Sequence, residues 1–410
     1  MEPRQFFRTQ ASVIFYHQEE YMKRISLALL CGLLATLTSL SGREAGEHSA
    51  ILPFLKSEQR WSKQKLESFM SSKGIRFRGN DTLRTAFLHN RKIFGVPAVE
   101  MRVSYDDSGL LSQIDIFYAN KGDTAKEKNM GRTINHSARE LAAQLTAQFG
   151  ESRKQKYGLK KVNSRALTWM SGETEIFLEH NRREYVIIHI LFRDKNLSAA
   201  GKEKIDLKDK DFSQKVKENS FGDRFIADIP MVNQGSKGYC APATVERVLR
   251  YYGITTINMH FIADKANTRK GGGTSVSSLL SSLSPVCRAV NLRTVSCGDL
   301  RLSMIKKYID QGIPIFWVMR VNPEYEKIRM ESRRVRTMVR SKKEWVKRLR
   351  RLKVPSKGGD HICLVIGYNL ETEEIAVSNS WGEHEIQPSW VPLRIGKKVS
   401  HGKTFVLVPR

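Results

Sequence analysis

The stretch Pro230-Met231-Val232-Asn233-Gln234-Gly235-Ser236-Lys237-Gly238-Tyr239-Cys240-Ala241-Pro242-Ala243-Thr244 sets a polar, glycine-rich loop directly against a helical pattern. Downstream of the cysteine, Val245, Val248, Leu249 and Tyr252 fall on one face, Pro242 suits a first turn, and Gly253 suits a C-terminal stop. Cys240 is therefore expected at a helix N-terminus. The positive end of the helix dipole there favours thiolate over thiol, and thiolate is the form that attacks carbonyls. A cysteine packed as a small hydrophobe fits poorly after such a loop.

A nucleophile and its base need only meet in space, so the base is sought elsewhere in the chain. His361 follows Gly358-Gly359-Asp360 and opens an apolar strand, Ile362 to Tyr368; the next strand, Glu374 to Ser378, runs into Asn379-Ser380-Trp381-Gly382. A hairpin of these two strands puts His361 and Asn379 side by side at one edge. The Asn379 side-chain oxygen would then accept from the imidazole and fix its tautomer, with Trp381 shielding the bond from water. The other histidines lack this support: His260 lies just past the cysteine helix, and His384 and His401 sit among polar residues.

Three separated pieces now stand in order: Gln234 six residues before Cys240, His361 opening a strand that ends in Gly367-Tyr368-Asn369, and Asn379-Ser380-Trp381-Gly382. Together they resemble the papain-like cysteine peptidase superfamily. Within it, the stretch from about Asp223 to Arg410 looks most like the bacteriocin-leader (double-glycine) peptidase-like branch of bacteria. The supporting pieces are the Cys-x-Pro-Ala helix start, the loop Lys270-Gly271-Gly272-Gly273-Thr274-Ser275, and Gly312-Ile313-Pro314-Ile315 before the histidine. Tyr239 and Ala241 depart from the Asp and Gly that leader peptidases carry around the cysteine. The resemblance implies Cys240 as nucleophile, His361 as base, Asn379 as orienting residue, and Gln234 with the Cys240 backbone N–H as oxyanion donors. It implies hydrolysis of peptide bonds through a thioester, without cofactor or metal. Two alternatives stay open: a peptidoglycan amidase or transpeptidase with the same chemistry, and a non-catalytic binding protein on an inherited scaffold. The Gly271-Gly272-Gly273 stretch either borders the substrate cleft or is a plain turn.

At 410 residues the chain exceeds the usual size of one core. The expected organisation is a signal peptide over 1–41, an α+β module over 51–193, a charged linker over 194–222, and the papain-like domain over 223–410. That domain is expected to be α+β too, with the cysteine helix packed on a twisted antiparallel sheet. Met22-Lys23-Arg24 followed by an apolar run to Leu40 and a small-x-small site at Ser39-Leu40-Ser41 reads as a secretory signal, with translation starting at Met22. That reading makes the protein secreted, periplasmic or part of the cell envelope. The apolar run is short of the ~20 residues of a spanning helix, so cleavage leaves no membrane span. A lipoprotein reading on Cys31 is disfavoured because Leu30 precedes it.

In the module, Ser137 and Glu140 read as a capping box for a helix whose stripe is Leu141, Leu145 and Phe149, closed by Gly150. Strands 98–105 and 110–118 form a hairpin across Asp106-Asp107-Ser108-Gly109, and 165–170, 173–179 and 185–192 form a meander. His136, His180 and His189 are scattered, and no chemistry is assigned to the module. Its place before a charged linker raises the idea of an inhibitory propeptide, in which case cutting the linker raises activity.

The net charge of +27 suits nucleic acid, an anionic membrane or an anionic wall alike. No zinc-finger spacing, nucleic-acid motif or P-loop accompanies it, so nucleic acid has only bulk charge in its favour. A basic insertion at about 322–357 reads either as a solvated helical face or as an anion-binding patch for a surface or cell wall. Beyond the signal, Cys240, Cys287, Cys297 and Cys363 are too uneven for a zinc site or a disulfide scaffold, though Cys287 and Cys297 are close enough to bridge.

Overall fold

The computed structural model describes Leu55 and residues 60–410, apart from 90, 107, 122–128, 160, 193–206, 208–209, 237, 269–272 and 355–356. The expected signal segment with Met22 and Cys31, the first part of the charged linker, and Lys270 to Gly272 of the glycine loop lie outside the described residues.

The first half is built on an antiparallel sheet. Its strands are β1 (Arg78–Gly79), β2 (Leu83–Phe87), β5 (Glu100–Tyr105), β6 (Leu111–Asn120), β7 (Arg153–Leu159), β8 (Val162–Ser171), β9 (Thr174–Asn181) and β10 (Tyr185–Phe192), in the order β1-β2-β5-β6-β10-β9-β8-β7. A small hairpin, β3 (Lys92–Ile93) with β4 (Val96–Pro97), stands beside it. Helices α1 (Lys63–Ser72) and α2 (Met130–Phe149) contribute to its core, in which Leu66, Met70, Ile134, Leu141 and Leu145 pack with Ile114, Ile116, Ile188 and Ile190.

Helix α2 starts seven residues before the expected cap at Ser137, with Asn129 in the N-cap position. The reason is the apolar stripe. Ile134 and Ala138, both buried, continue the i, i+4 spacing backwards from Leu141, and burial of that face outweighs the local capping signal. His136 sits exposed on this helix beside Glu140, at 3.2 Å.

The second half carries the second sheet: β11 (Val216–Glu218), β12 (Arg224–Ile226), β13 (Leu292–Gly298), β14 (Ile315–Val321), β15 (Gly359–Asn369), β16 (Glu374–Ser378), β17 (Ser389–Pro392) and β18 (Ser400–Pro409). The order is β11-β12-β15-β14-β18-β13, with β16 and then β17 attached to β15. Strand β11, from within the stretch read as linker, pairs with β12, and the nearby Leu207 and Phe212 belong to this half's core.

Around the sheet lie α3 (Cys240–Tyr251), α4 (Met259–Lys265), α5 (Val276–Ala289), α6 (Leu302–Ile309), α7 (Pro323–Val335), α8 (Lys342–Arg350) and α9 (Leu393–Val399). Helix α3 is buried along almost its whole length, with Val245, Val248 and Leu249 fully enclosed. The architecture is α+β in both halves, a cysteine-bearing helix on a twisted antiparallel sheet preceded by a separate α+β module. Cys287 on α5 and Cys297 on β13, close enough in sequence to bridge, are both free thiols in the structure.

The two halves share a buried polar seam. Arg102 on β5 donates to Glu246 on α3 at 2.9 Å, and Arg250 on α3 donates to Glu246 at 2.7 Å and to Asp115 on β6 at 3.1 Å. His189 on β10 bridges Asp115 at 2.7 Å and Glu179 at 3.0 Å. Burial alone would push His189 down, but its two carboxylate partners prevail and raise it to about 9. Apolar packing runs alongside: Leu159 and Val162 of the β7–β8 hairpin join the core of the second half.

Candidate active site

Cys240 is the first residue of α3 and is partly exposed, where the chain leaves the loop through Gly238 at φ +76°, a left-handed turn that glycine adopts freely. One turn on, the Thr244 hydroxyl donates to the Ile362 carbonyl at 3.3 Å. This bond fastens the start of the helix to the strand residue next to His361.

His361 lies near the start of β15 and Asn379 follows the end of β16, where Leu364 pairs with Ser378. Both side chains are buried, and His361 Nε2 lies 2.9 Å from Asn379 Oδ1. An amide oxygen can only accept, so Nε2 carries the proton and Nδ1 of the neutral ring keeps a lone pair for use as a base. The Trp381 ring covers the imidazole at 4.7 Å between centroids. Gly382, at φ +108°, makes the turn that sends the chain away; a Cβ there would lie 3.0 Å from Asn233 Nδ2.

Gln234 is tied to the same turn. Its backbone N–H donates to the Ser380 carbonyl, and the Ser380 hydroxyl donates to its Oε1, both at 2.8 Å. Because Oε1 is the accepting end, Nε2 is the end that can donate to a developing oxyanion.

Burial pushes the Cys240 thiol up, against the pull of backbone N–H groups around it. Burial likewise lowers His361 to about 4, with the Asn379 bond only partly offsetting it. Taken singly, burial disfavours charge on either group. Desolvation of the sulfur thus opposes the helix dipole at Cys240.

Sequence reasoning missed the residues that hold this frame. Arg247, buried on α3, donates to the Asn379 carbonyl at 2.7 Å, the Ser378 carbonyl at 3.2 Å, the Ser378 hydroxyl at 2.6 Å and the Pro230 carbonyl at 2.8 Å. It thus ties the helix, the loop before the cysteine and the asparagine turn together. Arg329 on α7 stacks on Trp381 at 5.1 Å and donates to Glu385 at 2.6 Å. The available signal was the run Glu246-Arg247 with Arg250, three charges within an otherwise apolar helix.

The basic insertion is α7 and α8, and its two faces differ. Arg329 and Arg336 are buried in ion pairs, Arg336 with Asp223 at 2.6 Å and with Glu374 at 2.9 Å, whereas Lys343, Lys347, Arg350 and Arg351 are exposed. Its buried arginines are therefore not part of a solvated face. A cavity of about 760 Å³ opens in the module between α2 and β7–β9, lined by Arg139, Lys154, Lys156, Arg165 and His180 and by none of the residues above. Among the described residues no cluster of His, Cys, Asp and Glu could hold a metal ion, and no helix is long and apolar enough to cross a membrane.

Residues 226–396 match the Peptidase C39-like family, which puts the resemblance to papain-like cysteine peptidases on the double-glycine peptidase-like branch. Two solved structures are similar to this chain. The peptidase domain of Streptococcus ComA, a bi-functional ABC transporter involved in a quorum-sensing pathway, is 14% identical, with 45% of this chain and 100% of that one covered and a TM-score of 0.29. Xylellain, a cysteine protease from Xylella fastidiosa, is 12% identical, with 52% and 94% covered and a TM-score of 0.33. No curated protein matches the chain.

Proposed function

We propose that this chain, whose residues 226–396 match the Peptidase C39-like family, is a cysteine peptidase that cleaves peptide bonds through a thioester on Cys240. The observation that carries the reading is the 2.9 Å bond from His361 Nε2 to Asn379 Oδ1, buried under Trp381 beside the helix that starts at Cys240. His361 Nδ1 takes the thiol proton as Cys240 Sγ attacks the carbonyl carbon. The oxyanion receives hydrogen bonds from Gln234 Nε2 and the Cys240 N–H. The same proton then goes to the leaving amine, and water, deprotonated by His361, hydrolyses the thioester.

The apolar segment after Met22 supports export, making this a secreted or cell-envelope enzyme. The exposed cations of α8 support contact with an anionic surface.

The direct test is turnover of a quenched fluorescent peptide library. Wild-type protein should cleave members of it, Cys240→Ala should cleave none, and Gln234→Ala should lose ~10²-fold or more in kcat, as expected for an oxyanion donor. Cleavage that survives in Cys240→Ala would overturn the reading.

A further inference from the structure

Tyr239, which with Ala241 departs from the leader-peptidase pattern, links the module to the residue before the nucleophile. Its side chain is fully buried and its hydroxyl donates to Glu184 Oε2 at 2.7 Å. Glu184 lies in the β9–β10 turn of the module, where its N–H donates to the Asn181 carbonyl at 2.9 Å and its carbonyl accepts from the Lys121 N–H at 2.7 Å. Its other oxygen, Oε1, accepts from Lys121 Nζ at 2.7 Å, and the same ammonium donates to the Thr268 carbonyl of the second half at 3.0 Å. Leu83 of β2 packs with Val232, Tyr239, Ala243, Met259 and Ala263, closing the apolar side of the tyrosine. The Tyr239 ring is thus held by the module at its polar end and along its side.

The peptide bond that follows Tyr239 contains the Cys240 N–H. Fixing the Tyr239 side chain fixes its backbone, which stands at φ −89° and ψ 27°, outside the helix it precedes. The Tyr239 carbonyl, on the same peptide unit as the Cys240 N–H, accepts from Ala243 at 2.9 Å, which leaves the side-chain anchor to set the remaining freedom.

We propose that Glu184 and Tyr239 are positioning residues for the oxyanion site, so that the N-terminal module is a built-in part of the enzyme and not a removable inhibitor. The inference rests on Cys240 being the nucleophile. The module aims the Cys240 N–H at the carbonyl oxygen, and the catalytic half without it keeps a reactive thiol but loses stabilisation of the tetrahedral intermediate.

Two reagents separate these functions on the full chain without any need to know the natural substrate. Iodoacetamide alkylates the sulfur by displacement, with no oxyanion. p-Nitrophenyl acetate acylates the sulfur through a tetrahedral oxyanion and releases p-nitrophenolate. Both rates are measured at Cys240, with Cys240→Ala subtracted. Tyr239→Phe and Glu184→Ala should lower the acylation rate by about 10-fold or more while alkylation stays within about 3-fold, because an oxyanion donor acts on the transition state and not on the free thiol. Glu184→Gln, which keeps an accepting oxygen, should restore most of the acylation rate. Equal changes in both rates, or an unchanged acylation rate in folded Tyr239→Phe and Glu184→Ala proteins, would overturn the proposal. A wild-type Cys240 that reacts with neither reagent would instead overturn the assignment of the nucleophile itself.

Discussion

Arg247 shows how a single side chain can hold an active-site frame without taking part in the chemistry. Its guanidinium satisfies carbonyls of Pro230, Ser378 and Asn379, and burial lowers it to about 10, so it stays charged at neutral pH. Arg247→Met should destabilise the protein by about 3 kcal/mol or more in urea unfolding, since each buried acceptor left unmade costs ~1–3 kcal/mol. A loss under ~1 kcal/mol would mean that the carbonyls find other donors. Asn379→Ala should lower kcat less than His361→Ala does, because it removes orientation and leaves the base in place. The positions of Cys240, His361 and Asn379 in the fold were legible in the sequence because each marks an abrupt change of pattern: loop to helix, turn to strand, strand to turn; Gln234 was singled out by the resemblance alone. Arg247 was not legible, because it joins the Pro230 carbonyl to Ser378 and Asn379, more than a hundred residues downstream, which no local pattern displays.

At the scale of elements, α7 and α8 form one basic stretch in sequence and two unlike surfaces in space. Charge density cannot tell a solvated cation from one paired at long range. Arg336 finds Asp223, 113 residues away, and Glu374, 38 residues away. Asp223 is held below the usual carboxylate range because the Arg336 and Asn369 bonds outweigh its own burial. Arg336→Ala should cost ~3–5 kcal/mol, since it strands two carboxylates in the interior. Arg348, Arg350 and Arg351 are exposed, and their replacement by Ser should leave unfolding unchanged while weakening retention on anionic vesicles and flattening its salt dependence. Retention identical to wild type would leave α8 as a solvated face. The same limit on local signals explains helix α2: a capping box at Ser137 was real as a pattern, but the buried stripe reaching back to Ile134 decided where the helix begins.

For the whole molecule, two buried histidines bound the pH range of stability from opposite sides. His361 is lowered to about 4 from an unfolded value near 6.5, so the unfolded chain binds a proton that the native one refuses, and stability falls as pH drops from 6.5 to 4. His189 is raised to about 9; its contribution is complete below 6.5 and is lost as pH rises to 9. His189→Gln should therefore flatten the alkaline slope of melting temperature against pH while leaving the acid slope in place. An alkaline slope that persists in the variant would assign it to other groups. Strands β5, β6, β8, β9, β10, β15 and β16 were readable from apolar patterning and turn residues, whereas the seam between the halves was not, because Arg102, Asp115 and Glu246 become partners only through tertiary contact. That seam bears on the propeptide idea. Nicking the chain within residues 194–206 should leave both pieces co-eluting on gel filtration with activity unchanged, and a rise in activity would restore the inhibitory reading.

The most direct test of the central claim is the pH dependence of Cys240 alkylation by iodoacetamide, with the label assigned to each cysteine by mass spectrometry. Because neutral His361 can take the proton of the attacking thiol, alkylation should persist well below pH 8, with Cys240 labelled ahead of Cys287, Cys297 and Cys363 at pH 6. In His361→Ala the reactivity should move to the range of an ordinary thiol, ~8.5 or above. Identical profiles for wild type and His361→Ala, or preferential labelling of another cysteine at pH 6, would contradict the account.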